Sequence, residues 1–186
     1  MKKLLNIIKE ILSSKPSAII AVDGMCASGK TTLASLLAKE FGMQVIHMDD
    51  FFLPYDMRTP ERLSLPGGNI HYERFVEEVI NPIKIGKNCE YRVFSCSEGN
   101  FTATKSIITS KPIIIEGAYS MHPEIPDIYD LKIFSEISPE TQLIRIEKRN
   151  GTAALTAFKE KWIPFENQYF KAFKIKDKCD ITITNE

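Results

Sequence analysis

The chain has 186 residues, enough for one domain with a sizeable core and too few for a second of ordinary size. Hydrophobic residues make up 44% and charged ones 26%, the balance of a globular chain rather than a disordered or membrane-embedded one. The 24 basic and 24 acidic side chains cancel, so no overall field draws the chain to nucleic acid or an anionic membrane, and any anion site has to be local.

Leu4, Ile7, Ile8 and Ile11 share one helical face, and Asn6, Lys9 and Glu10 interrupt the apolar run that a signal peptide would need. After a break at Ser13 to Pro16, Ala18 to Val22 is a short apolar run of the kind buried on both faces of a parallel sheet. It ends in Asp23-Gly24. Lys30 to Phe41 reads as a helix with Leu33, Leu36 and Leu37 inward and Gly42 as its stop. Val45 to Met48 is a second strand, ending in Asp49-Asp50. Phe51 to Asn69 is rich in Pro, Gly, Arg and aromatics and has no period. His71 to Ile80 is helical, with Phe75, Val76 and Val79 inward. Tyr91 to Ser95 and Thr102 to Thr109 form a β-excursion. Ile113 to Ile115 and Leu131 to Phe134 are further strands. Helices follow at Pro139 to Arg149, Thr152 to Lys161 and Phe165 to Phe173, and Ile181 to Thr184 closes as a strand.

Short apolar strands alternating with helices predict βαβ units and a parallel sheet, and together with the phosphate-loop motif described below the expected fold is α/β, the three-layer P-loop NTPase fold. Its mostly parallel sheet has about five strands with helices on both faces, a small β-excursion and a helical lid. One domain spans 1–186, with acceptor-site excursions at 50–70 and 88–110 and a lid at 145–165. Ligands of such sheets bind beyond the carboxyl ends of the strands, and three strands here end in useful chemistry at Gly24, Asp49 and Glu116.

Gly24-Met25-Cys26-Ala27-Ser28-Gly29-Lys30-Thr31 fits G-x-x-x-x-G-K-[ST] at every fixed position, between a buried strand and a helix. Glycines let the loop curl so that backbone N–H groups point at phosphate oxygens, and the helix N-terminus adds partial positive charge. Lys30 would reach the β- and γ-phosphates and the Thr31 hydroxyl would bind magnesium. Glu116 could hold the metal or position the attacking group. One of Asp49 and Asp50 could accept the proton of an acceptor hydroxyl, with Phe51 and Phe52 walling the pocket against water. Arg145 and Arg149 share a helical face and could close over the transferring group. Met25 to Ala27 and Thr32 complete the nucleotide loop.

Of the remaining polar residues, His47 reads as a hydrogen-bonded core residue and His122 as incidental. Trp162 with Pro164 reads as a helix-end anchor, and Arg58 and Arg62 as solvated loop charges. His71 is an acceptor-pocket candidate. No C-x-x-C pair occurs among Cys26, Cys89, Cys96 and Cys179, which argues against zinc and suits free thiols in a cytoplasmic protein.

The runs Asp23 to Thr32, His47 to Phe52 and Ile115-Glu116-Gly117 resemble the uridine kinase family, whose wider relatives include phosphoribulokinase and bacterial pantothenate kinase. The resemblance implies ATP and Mg2+ as donor and cofactor and a small-molecule acceptor, with no nucleic-acid or membrane partner. It makes Asp49 the base and a magnesium neighbour beside Thr31 and Glu116, and places Phe51, His71, Tyr91 and Glu116 around the acceptor. Two departures leave the acceptor open: His71 stands where nucleoside kinases of the family carry an acid for the ribose, and Cys96 where they carry a His. A nucleoside is the expected acceptor. The alternatives are a sugar phosphate or pantothenate-like alcohol, or a non-catalytic or GTPase-type module. The sequence contains no N-K-x-D or D-x-x-G segment to support guanine binding.

Overall fold

Strands that are apolar on both sides have to be covered on both sides, and the sheet is built accordingly. The computed structural model describes residues 1–185. Five parallel strands stand in the order β2-β5-β1-β6-β7, with β1 Ile19–Gly24, β2 Gln44–His47, β5 Ile113–Glu116, β6 Leu131–Glu136 and β7 Ile181–Thr184. The central strand β1 is buried along its whole length, and its Ile20 lies between Ile114 and Leu131. Alternation then divides the core. Ile19, Ala21, Ile113 and Ile115 face a cluster with Phe51, Phe75, Tyr91 and Tyr169. Ile20, Val22, Ile114 and Ile133 face a second cluster with Leu4, Ile8, Leu33 and Leu37.

The second cluster is roofed by α1 (Lys2–Ser14) and α2 (Lys30–Phe41). Gly42 ends α2 in the left-handed conformation at φ 65°, as its position implies. Leu36 departs from expectation. It is exposed, because only Leu33 and Leu37 of that stripe reach the sheet. The second strand stops at His47, and Met48–Phe51 tighten into a 3-10 turn.

The segment that shows no period carries a 3-10 turn at Tyr55–Met57 and the short helix α3 (Pro60–Ser64). A longer helical run follows, from α4 (Tyr72–Phe75) through a π turn at Val76–Ile80 into α5 (Asn81–Lys84). The β-excursion is a separate antiparallel hairpin of β3 (Cys89–Ser95) and β4 (Asn100–Ile107). After β6, α6 (Pro139–Asn150) begins at a Ser138 cap and breaks at Gly151. Then come α7 (Thr152–Ala157), a π turn at Phe158–Trp162 and α8 (Ile163–Phe173). Among the described residues no helix is long and apolar enough to cross a membrane, and all four cysteines are free.

Candidate active site

The carboxyl ends of β1, β2 and β5 open on a cavity of about 760 Å³. The loop after β1 forms one wall. Gly24 has φ 132°, and a Cβ there would lie 2.0 Å from the Ser135 carbonyl oxygen, so only glycine lets β1 turn beside β6. Ala27 and Gly29 also take positive φ, 58° and 94°, which curls the loop toward the N-terminus of α2.

The loop is braced from outside. Gln142 of α6 donates to the Cys26 carbonyl at 3.0 Å, Arg145 to that of Ala27 at 3.4 Å, and Asn185 to that of Ser28 at 2.7 Å. These bonds fix three successive loop carbonyls in place. Lys30 folds back over the loop and donates to the carbonyls of Gly24 at 2.7 Å and Met25 at 2.8 Å. Below it Asp23 is fully buried, accepting from the Gly24 N–H at 2.7 Å, the Met121 N–H at 3.0 Å and the Tyr169 hydroxyl at 2.8 Å. Burial raises its carboxyl above the ordinary range, and those bonds and Lys30 oppose the rise.

Glu116, at the end of β5, is buried at the mouth of the loop. The Thr31 hydroxyl donates to it at 3.2 Å, and its Oε1 lies 2.5 Å from His47 Nδ1. His47 is therefore hydrogen-bonded, as its place in a strand implies, but to a carboxylate of the site. That bond raises its pKa. Gly117 follows with φ 132°, and a Cβ there would lie 2.8 Å from that of Met48, so the chain can leave β5 only through glycine.

The two neighbouring acids after β2 separate cleanly. Asp50 is tied down: Lys105 and Tyr91 of the hairpin donate to its carboxylate at 2.8 and 3.2 Å, and Arg74 donates to its carbonyl. Asp49 lines the cavity with Lys30, Thr31 and Glu116. It is open to water in the cavity, yet protein crowds it on every other side. That crowding raises its carboxyl, with Lys30 opposing the rise and Glu116 adding to it.

Three expected acceptor contacts are not where the sequence places them. Phe51 is fully buried, 4.8 Å from the Phe75 ring and 5.1 Å from Tyr91, while Phe52 turns to the cavity and meets Trp162 at 6.0 Å. Consecutive residues leaving a 3-10 turn point in different directions, so one phenylalanine goes to core and one to cavity. Tyr91 is 1% exposed and spends its hydroxyl on Asp50, because β3 lays that face on the core. His71 stands at the head of α4 off the cavity wall, with burial and Arg74 lowering its pKa. Its neighbour Asn69 lines the cavity instead, buried and with its Nδ2 unpartnered.

Arg58 and Arg62 are not solvated charges. Arg58 donates to the Leu53 carbonyl, and Arg62 to the carbonyls of Gly68 and Ile70 on either side of Asn69. Gly68 permits this approach, since a Cβ there would lie 1.8 Å from the Arg62 carbonyl oxygen. His122 is no incidental residue either. It stacks on Tyr72 at 4.4 Å and bonds to the Pro66 carbonyl. Arg145 and Arg149 both reach the cavity, as does Cys96, and Trp162 lines it rather than serving only as an anchor. Tyr119, with φ 76°, and Glu166 complete the wall, and sequence reasoning missed both.

No protein-family model matches the chain. In sequence it is 26% identical to the uridine kinase of Mycoplasma pneumoniae, over 92% of this chain and 87% of that one. In structure it superposes on a possible uridine kinase from Bacillus stearothermophilus with TM-score 0.65 and 18% identity, covering 97% of this chain and 99% of that chain. The chain has the fold of the P-loop kinases and is similar to uridine kinases in sequence and structure. A phosphoribulokinase from Rhodobacter spheroides shares the fold at TM-score 0.59 and 17% identity, over 91% of this chain and 70% of that one. The chain thus shares one fold with solved structures whose names point to different substrates.

Proposed function

We propose that the protein transfers the γ-phosphate of ATP to a hydroxyl of a small uncharged metabolite, a nucleoside. The observation that carries this reading is the placement of Asp49, open and unpaired with Lys105, in the same cavity as the phosphate loop. Lys30 and the loop amides bind the triphosphate, and Arg145 and Arg149 on the 145–165 lid neutralise charge on the phosphoryl group in flight. Asp49 takes the proton of the attacking hydroxyl, and the crowding that raises its carboxyl favours that proton's acceptance.

Magnesium fits the oxygens present. Thr31 and Glu116 already converge, with Asp49 on the same wall, and hard oxygen donors are what this ion selects. Among the described residues no three His, Cys, Asp or Glu side chains form a metal cluster by themselves, so a bound ion would draw its other ligands from phosphate and water. When bound, it supplies charge neutralisation across the phosphates.

Two features support an uncharged, flat acceptor. The cations lining the cavity are Lys30, Arg145 and Arg149, which stand on the phosphate loop or on the helix bonded to it. The remaining wall is aromatic and amide in character, from Phe52, Tyr119, Trp162 and Asn69. A planar base can stack there. The test is an ADP-release screen with ATP and magnesium across nucleosides, sugars, sugar phosphates and vitamin alcohols. Turnover with nucleosides and none with sugar phosphates is expected. A preference for a sugar phosphate would overturn the assignment of acceptor class.

A further inference from the structure

Glu166 is an acid in the donor site that the P-loop motif does not assign. It is 9% exposed, lines the cavity, and its Oε2 accepts from the N–H of Cys26 at 2.8 Å. None of the ion pairs among the described residues includes it. A buried carboxylate without a paired cation is costly, and a second anion brought beside it costs more. The triphosphate is such an anion, and the loop that has to hold it is the loop Glu166 touches.

A carboxylic acid removes the conflict without moving the side chain. Its carbonyl oxygen can keep the Cys26 N–H while its O–H serves as a donor. We propose that Glu166 is a phosphate-binding residue that works as the neutral acid. On donor binding it takes one proton from solvent, retains Cys26, and donates its O–H to a phosphate oxygen.

The surroundings are consistent with this. Burial is the largest influence on Glu166 and favours its protonated form. Asp23 on β1 acts in the same direction, while Lys30 on α2 and the Cys26 bonds oppose it. Tyr119 faces Glu166 from the connection after β5, and Arg149 of α6 faces Cys26. Asp49 and Glu116 share the cavity. The Cys26 thiol, pushed up to about 12 by burial and then by Glu166, stays neutral throughout.

The inference rests on the P-loop being the triphosphate site, so the test reads binding rather than turnover. Wild type, Glu166→Gln and Glu166→Ala are titrated calorimetrically with a non-hydrolysable ATP analogue and magnesium. Two buffers of different ionisation enthalpy are used, from about pH 6 to about pH 9. Wild type takes up as much as one proton more than the Gln variant, and its affinity falls by up to about tenfold per pH unit relative to that variant. The Gln variant, an isosteric neutral donor, binds at least about tenfold more tightly than wild type at the alkaline end. The Ala variant, lacking the donor, binds more weakly than Gln throughout. Equal proton uptake and parallel pH profiles in wild type and Gln would overturn the proposal while leaving the donor site intact. So would weaker binding by Gln at every pH. Absence of nucleotide binding in folded wild type would overturn both readings.

Discussion

Replacing Tyr169 by Phe tests how the phosphate loop is held from below. Tyr169 is fully buried, and its hydroxyl donates to Asp23 Oδ2 at 2.8 Å. The ring is retained, so the change opens no large cavity, and Asp23 keeps the N–H groups of Gly24 and Met121. A hydrogen bond to an ionised group contributes about 1.5–3 kcal/mol, and that is the expected loss while Asp23 is charged. The pH dependence has a definite sign. Burial raises the folded pKa of Asp23, and the Tyr169 bond is the largest influence opposing it. The variant therefore raises that pKa further. A group whose folded pKa is raised binds its proton more tightly in the native state, so stability recovers as pH falls through the folded pKa. The deficit of the variant should be largest near pH 8 and shrink toward the roughly 1 kcal/mol of a neutral hydrogen bond as Asp23 protonates. Urea unfolding at intervals from about pH 8 downward, with m unchanged, follows the deficit. A deficit under about 0.5 kcal/mol at the higher pH, or one that grows toward acid, would refute the reasoning.

Phe51→Ala should cost about 3–5 kcal/mol of stability, since its ring is fully buried between Phe75 and Tyr91. Phe52→Ala should cost only about 1–2 kcal/mol while raising the acceptor KM, because its ring faces the cavity and Trp162; denaturation and steady-state kinetics on the pair separate core from wall. Gly24→Ala brings a Cβ to 2.0 Å from the Ser135 carbonyl oxygen, an obstacle made of backbone. It should lose nucleotide binding by calorimetry together with about 1–3 kcal/mol or more of stability, and normal binding would show that the loop does not need β6 beside it.

The parts legible in the sequence are those in which one residue type at one spacing meets a local requirement. The P-loop is read from its own spacing, and Asp49 and Glu116 from their places at the ends of apolar runs. The rest depends on contacts between distant segments. Asp49 and Asp50 are equivalent in the sequence until Lys105 and Tyr91 fold back on one of them. Phe51 and Phe52 differ only through the turn that precedes them. Tyr91, placed at the acceptor by resemblance, is claimed by the core, and His71 stands at the head of α4 off the cavity wall. Arg62 looks like any loop charge until Gly68 admits its approach to the carbonyls flanking Asn69. Glu166 is an ordinary helical acid in the sequence, and its partner Cys26 is 140 positions away.

The central claim is that Asp49 turns triphosphate binding into phosphoryl transfer. ADP release in the presence of ATP, magnesium and a nucleoside acceptor, compared between wild type and Asp49→Asn, tests it most directly. Wild type should release ADP only when the acceptor is present. The variant should bind nucleotide normally and turn over about 10²–10⁴-fold more slowly. Undiminished acceptor-dependent release by the variant, or release by wild type that ignores the acceptor, would contradict the account.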